Sequence, residues 1–223
     1  MTSIDGLVNE LVTNIQGNKD IKFKSLFDYI PNGTGSTTYR NMGATIIDAV
    51  LQAGVKYESV VKPRITSFRQ NQKCITTTSE FLKFINSGAL PESINWKKEG
   101  KKIDRIINLT TFLVKKGIET EQDFATWLNN DQNILELRSI NGIGNKTVDY
   151  VKILCGIQDT VAIDVHLINF IKENTSVKID LPYEIAKQIL ISVANIIKIE
   201  PAKLDHGIWR FMSQKTGAKP NCH

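Results

Sequence analysis

The turn at Gly142-Ile143-Gly144 constrains the fold of this chain more than any other sequence feature. Two glycines that flank one apolar residue allow a sharp reversal of the chain and a close approach of the backbone to an outside group. After the turn, four apolar residues fall on one face at helical spacing: Val148, Val151, Leu154 and Cys155. The stretch Leu137–Cys155 therefore predicts a short helix, a hairpin and a second helix.

The beginning of this second helix is expected to bind an anion. The first N–H groups of a helix have no acceptor within the helix, and they carry the positive end of its dipole. Such an end is suited to a phosphate group. Lys146 lies in the first turn and off the apolar face, so we expect its amine beside the anion rather than in the core.

The composition is that of a globular, moderately basic protein. The 223 residues carry a net charge of +5 and are 41% apolar, enough for one large or two small domains. The basic balance suits a polyanionic partner, although a slightly basic protein without such a partner is the alternative. There is no apolar run long enough to span a membrane and no secretory leader, so we expect no membrane association.

The three cysteines are widely spaced and odd in number, which favours a reducing, intracellular compartment (cytoplasm or nucleoid) over a disulfide framework. No cluster of cysteines and histidines predicts a metal site.

The pattern along the chain predicts an all-α protein of about ten or more helices, because no stretch alternates as a strand does. The clearest helix covers residues 101–116, with a predicted buried stripe of Ile103, Ile106, Ile107, Leu113 and Val114. Thr120 is predicted to cap the next helix, with Asp123 at the reciprocal position. The glycine- and serine-containing loop at residues 32–36 is predicted to separate a terminal segment from a central domain.

Five cations cluster where the 101–116 helix begins: Lys97, Lys98, Lys101, Lys102 and Arg105. Positive charge at a helix N-terminus opposes the dipole, which favours an external anion as the reason for the cluster. A solvated charged face is the alternative.

Two segments resemble the helix-hairpin-helix DNA glycosylase superfamily (HhH-GPD) whose type member is endonuclease III. Gly142-Ile-Gly-Asn-Lys-Thr147 is similar to the family's hairpin with its lysine, and Val161-Ala-Ile-Asp-Val-His166 is similar to its aspartate segment. The lysine and aspartate are eighteen positions apart, 146 to 164, which is the spacing that the family uses. The clearest resemblance runs from about residue 98 to residue 172.

The resemblance implies two helical subdomains with a cleft between them. The central six-helix domain would cover residues 37–155 and end in the helix-hairpin-helix. Residues 1–36 and 156–223 would form the second helical domain from both termini.

The resemblance also implies the chemistry. Lys146 would attack the anomeric carbon of the deoxyribose as a neutral amine and form a Schiff base, and β-elimination would then release the 3′ phosphate. Asp164 would stabilise the positive charge that develops on the sugar. We expect Asp164 at a helix N-cap. The alternatives are that Lys146 only binds phosphate or pairs with Asp149 or Tyr150, and that Asp164 is only a cap. Asp149 is otherwise expected at the surface.

Further residues are implied to contact DNA. Gln52 follows an apolar helix, and in relatives a glutamine there fills the space left by the flipped base. A solvated amide at the helix end is the alternative reading of Gln52. The remaining predicted DNA-binding residues are Gly142, Ile143, Gly144, Asn145, Thr147, Lys101 and Lys102.

Many relatives end in four cysteines that hold an iron–sulfur cluster, whereas this chain ends with Cys222 alone, so we expect a member without the cluster and without other cofactors. The predicted function is a monomeric DNA glycosylase with AP lyase activity on oxidised bases in double-stranded DNA, or on its abasic sites. The first alternative is a monofunctional alkylpurine glycosylase. The second is a non-catalytic DNA-binding module.

Overall fold

The computed structural model describes residues 3–17, 26–31 and 38–217. These residues form helices and connecting turns with no strand among them, which confirms the all-α prediction. The helices are α1 (Ile4–Gly17), α2 (Met42–Leu51), α3 (Lys62–Asn71), α4 (Thr78–Asn86), α5 (Leu90–Ser93), α6 (Lys101–Lys115), α7 (Glu121–Trp127), α8 (Asp131–Arg138), α9 (Asn145–Leu154), α10 (Val165–Asn174), α11 (Tyr183–Ile196) and α12 (Pro201–Gly217). A π-helical turn, Tyr57–Val61, precedes α3. The predicted loop at 32–36 and Cys222 lie outside the described residues.

The chain divides into two compact units, residues 36–157 and residues 1–35 with 158–223. Each unit has its own buried apolar cluster. No helix in the described ranges combines the length and the apolar character that crossing a bilayer requires.

Helix α2 lies at the centre of the 36–157 unit, where every one of its residues is buried. It contacts α3, α4, α6 and α9. A Cβ atom on Gly43 would lie 2.8 Å from the Phe81 ring and 2.9 Å from the Phe68 ring, so the small residue allows these aromatic side chains to pack directly against the helix backbone. The helix begins at Asn41, whose side-chain oxygen accepts from Ala44 N at 2.8 Å.

Local capping signals fix where several helices of this unit begin. Thr120 and Asp123 form a reciprocal capping box at α7, as predicted. Thr77 and Glu80 form the same motif at α4. These bonds involve residues three apart, so they depend little on the rest of the fold.

The buried face of α6 differs from the prediction. Ile103, Ile106 and Leu113 are buried as expected, but the remaining buried positions are Leu109 and Thr110. Ile107 and Val114 are only partly buried. The Thr110 hydroxyl donates to Ile106 O at 2.7 Å, which satisfies its polar group inside the core.

In the other unit, α1, α10, α11 and α12 pack around a second apolar cluster. Helix α1 contacts α11 and α10, and α12 contacts α10 and α11. Gly207 of α12 packs closely against Ile30. A Cβ atom on Gly207 would lie 2.5 Å from Ile30 Cγ1, so a larger residue would not fit there.

Candidate functional site

The glycine hairpin joins α8 to α9 through a turn that needs its first glycine. Gly142 has a φ of +86°, a conformation that residues with a side chain rarely adopt. A Cβ atom there would also lie 1.8 Å from Nη2 of Arg105. The turn is closed by Ile143 N, which donates to Ile140 O at 3.0 Å. The guanidinium group of Arg105 therefore lies directly against the hairpin backbone.

Helix α9 begins at Gly144, which occupies the N-cap position and supplies no side-chain hydrogen bond to the helix. The regular helical bonds begin with Val148 N, which donates to Gly144 O at 3.0 Å. The face predicted as apolar is buried, since Val148, Val151 and the neighbouring members of the set are at most 6% exposed. The N-terminus of a ten-residue helix is thus presented at the hairpin, as the sequence pattern predicted.

The predicted hairpin residues divide into buried and accessible ones. Ile143 and Thr147 are buried, with 4% and 7% of their surface exposed, so their side chains belong to the core. Gly142 and Gly144 are exposed, and Asn145 is half-buried. At the hairpin the backbone at Gly142 and Gly144 is accessible, whereas the Ile143 and Thr147 side chains are not.

The Lys146 side chain reaches from α9 to the end of α2. Its Nζ donates to Oε1 of Gln52 at 2.8 Å, a contact between residues 94 positions apart in the chain. Gln52 is only 9% exposed. The reading of Gln52 as a solvated amide is therefore wrong, because the side chain is buried against the lysine amine.

Lys102, which was predicted to bind DNA, has a structural role here. Its ammonium donates to Val50 O at 2.7 Å, to Leu51 O at 3.1 Å and to Ala53 O at 2.6 Å. These bonds satisfy backbone carbonyls at the C-terminal end of α2, where a positive charge also complements the helix dipole. The neighbouring Lys101 is exposed.

Positive charge is concentrated around Lys102. Burial, followed by the charges of Arg105 and Lys146, lowers the pKa of Lys102 to about 8. Arg105 is itself held on the hairpin, since its Nε donates to Asn141 O at 3.0 Å. Three cations from α6 and α9 therefore stand close to the hairpin and to the beginning of α9.

A buried carboxylate that the sequence analysis did not identify lies one helical turn from Gln52. Asp48 is fully buried on α2, and its Oδ2 accepts from the hydroxyls of Tyr39 at 2.6 Å, Tyr57 at 3.2 Å and Tyr150 at 3.2 Å. Burial raises the pKa of Asp48 to about 6, although the three phenol hydrogen bonds oppose that shift. The sequence feature that could have indicated this buried carboxylate is an acidic residue inside the apolar run 42–51.

Tyr150 thus contacts Asp48, whereas it was considered as a partner for Lys146. The expectation that Asp149 lies at the surface is wrong, because Asp149 is only 3% exposed.

Asp164 lies in the other unit and occupies the N-cap of α10, as predicted. Its Oδ1 accepts from His166 N at 2.8 Å and from Leu167 N at 3.1 Å. The preceding segment is held by Asp205, whose Oδ2 accepts from Ala162 N at 2.6 Å. The carboxylate of Asp164 is therefore oriented by its own helix.

The arrangement defines an all-helical protein of two compact units, with a cationic helix-hairpin-helix in one unit and an N-capping aspartate in the other. The chain belongs to the family described as a domain of unknown function, DUF8548, whose model matches residues 31–213. Neither the curated proteins nor the solved structures include a match to it. Within the described ranges, no three His, Cys, Asp or Glu side chains are grouped so that they could hold a metal ion.

Proposed function

We propose that this protein is a DNA glycosylase with an associated AP lyase activity, which removes oxidised bases from double-stranded DNA through a Schiff base on Lys146. The observation that carries the proposal is the placement of the Lys146 amine. It extends from the first turn of α9, directly after a glycine hairpin, into a region where Lys102 and Arg105 add positive charge. We propose further that the two units are the subdomains of the HhH-GPD type.

The hairpin supports binding to the DNA backbone. Exposed glycines at 142 and 144 allow a phosphate to approach the main chain, and the positive end of α9 attracts it. Arg105, fixed against Asn141, supplies a cation at the same turn. Contacts of this kind position a protein on DNA without reading the sequence of bases.

In the proposed reaction the neutral amine of Lys146 forms a bond to C1′ of the deoxyribose, and the electron pair of the glycosidic bond leaves with the base. The nitrogen then loses a proton, its electron pair opens the sugar ring between C1′ and O4′ as O4′ takes up a proton, and the nitrogen becomes the iminium of a Schiff base. Loss of a proton from C2′ releases the 3′ phosphate by β-elimination. Asp164 would stabilise the positive charge on the sugar with its carboxylate.

One observation favours a monofunctional glycosylase as the second candidate. Lys146 Nζ donates to Gln52 Oε1 at 2.8 Å, so the amine is already engaged in a hydrogen bond within the protein, an arrangement suited to binding rather than to nucleophilic attack. In that case Lys146 would hold a phosphate, and Asp164 would activate a water molecule for attack on the sugar.

Borohydride trapping on duplexes that carry one damaged base tests the proposal. The wild-type protein should give a covalent protein–DNA adduct, and Lys146→Gln should abolish it. Lys152→Gln is the matched control, because it removes the same charge from the last turn of the same helix. Asp164→Asn should reduce base release strongly even though an asparagine oxygen can still cap α10.

The three candidates give different results in this assay. Base release without an adduct, which persists in Lys146→Gln, would indicate the monofunctional enzyme. Binding of duplex DNA with neither release nor adduct, across oxidised pyrimidine, 8-oxoguanine and methylpurine substrates, would indicate a non-catalytic module and refute the enzymatic proposal.

A further inference from the structure

Two polar contacts, separated by one helical turn, join α2 and its C-terminal end to α9. Asp48 on α2 and Gln52, the residue that ends this helix, are one turn apart, and Lys146 and Tyr150 are one turn apart on α9. Gln52 pairs with Lys146 at 2.8 Å, and Asp48 pairs with Tyr150 at 3.2 Å. Because polar contacts between packed helices need defined partners, the pair of contacts fixes the register of the two helices and places the Gln52 oxygen beside the amine.

The backbone around Gln52 is held by a second lysine. The Lys102 ammonium bonds to the carbonyls of Val50, Leu51 and Ala53, which lie on both sides of Gln52 in the chain. Gln52 N also donates to Asp48 O at 3.1 Å. The main chain at 50–53 therefore cannot reorient without breaking bonds to a charged group, which are stronger than neutral ones.

The Gln52 side chain is buried with one of its polar groups unsatisfied. Its Nε2 is buried and has no hydrogen-bond partner among the described residues. A buried, unsatisfied amide group destabilises a protein, so its presence calls for a functional reason. The contact of Oε1 with the Lys146 amine is the specific interaction that this side chain makes.

We infer that Gln52 is a positioning residue for Lys146: its Oε1 holds the amine nitrogen in place, and Lys102 holds Gln52. This role differs from the insertion into DNA that the family resemblance implies, since it operates in the protein without DNA. Its meaning for catalysis rests on the proposed function. The placement of the amine does not, so the two can be tested separately.

The direction of the effect follows from the hydrogen bond that Gln52 Oε1 accepts from the amine. Loss of the acceptor removes this constraint on the amine, so Lys146 should react faster with a small electrophile from solution. A carboxylate at the same position pairs with the ammonium and should slow the reaction. The other charged and titratable groups on the three helices at this point stay unchanged in both variants: Asp48, Lys102, Arg105, Asp149 and Tyr150.

Trace acetylation of the free, full-length protein measures this directly. Acetic anhydride is the probe, and mass spectrometry gives the labelling rate of Lys146 relative to Lys152 on the same helix. In Gln52→Met the Lys146 rate should rise by about threefold to tenfold, the effect of losing one hydrogen bond of ordinary strength. In Gln52→Glu it should fall below the wild-type rate. Gln122→Met, at an exposed glutamine of the same unit, should leave it unchanged.

The result that overturns the inference is an unchanged Lys146 rate in the Gln52 variants. Far-UV circular dichroism reports whether each variant is folded, and if Gln52→Met does not fold, Gln52→Glu decides the question by itself. A role in DNA insertion would instead leave Lys146 labelling unchanged and weaken binding to a duplex with an abasic site.

Trapping on damaged DNA separates this inference from the proposed function. If wild-type protein forms no adduct but the Gln52 variants alter Lys146 labelling in opposite directions, the positioning role stands and the lyase proposal fails. If the wild type forms an adduct, Gln52→Met should lower its rate of formation at saturating DNA, because the amine is no longer held in one position, and leave DNA affinity unchanged. An adduct rate that does not change in Gln52→Met would refute the catalytic part of the inference.

Discussion

Asp48→Asn should make the protein more stable at neutral pH while leaving its stability nearly unchanged in acid. Asp48 is fully buried, and Oδ2 accepts from three tyrosine hydroxyls, whereas Oδ1 has no partner among the described residues. An asparagine oxygen can occupy the Oδ2 position, and its amide group can occupy the Oδ1 position. The substitution therefore keeps the tyrosine contacts and removes a charge that burial disfavours.

The magnitude follows from the pKa of Asp48, which burial raises from 3.8 to about 6. At about 1.36 kcal/mol for each pH unit, this difference corresponds to about 3 kcal/mol. Because the pKa of Asp48 is higher in the folded protein than in the unfolded chain, protonation of Asp48 stabilises the folded wild type. This stabilisation is fully present below pH 3.8 and is lost as the pH rises through 6. The free energy of unfolding of Asp48→Asn, minus that of the wild type, should grow by about 3 kcal/mol between pH 3.5 and pH 7.

Urea unfolding of both proteins at steps from pH 3.5 to pH 7 measures this difference. The difference is used because other carboxyl groups shift in the opposite sense; capping hydrogen bonds lower the pKa of Glu80 to about 2 and also lower that of Asp123. Asp104→Asn, at an exposed position of α6, is the control and should show no such growth with pH. A difference between Asp48→Asn and wild type that is equal at pH 3.5 and pH 7 would refute the reasoning.

Two further substitutions test the hairpin and the lysine that caps α2. Gly142→Ala should lower the free energy of unfolding by about 1–2 kcal/mol, because φ is +86° and the new methyl group would meet Arg105; Gly144→Ala, with no atom within 4 Å of the new Cβ, should cost less in the same urea assay. Equal costs at the two glycines would argue against a strained turn. Lys102→Met should destabilise the protein by about 1–2 kcal/mol through loss of its hydrogen bonds to three carbonyls, and amide hydrogen exchange near residue 52 should accelerate. A variant as stable as wild type, with unchanged exchange, would contradict this role of Lys102.

Sequence patterns were most informative where a structure depends on residues within one helical turn. The capping box of Thr120 and Asp123, the apolar face of α9 and the N-cap position of Asp164 all involve neighbours up to a few residues apart. Periodicity was less accurate for α6, because the helix buries Leu109 and Thr110 where Ile107 and Val114 were expected. A stripe of apolar residues predicts the buried face of a helix only approximately, because the helices packed against it determine which residues lie at the centre of that face.

The amino-acid sequence by itself determined that this is an all-α chain with a glycine hairpin, a lysine in the first turn of the following helix and an aspartate at a later N-cap. Only the tertiary structure decided what the polar side chains around that lysine do. Gln52 meets Lys146, Asp48 meets tyrosines from three separate segments, and Lys102 caps a helix other than its own. These contacts join residues that are up to 102 positions apart. They depend on the packing of helices against one another, which local spacing in the chain does not encode.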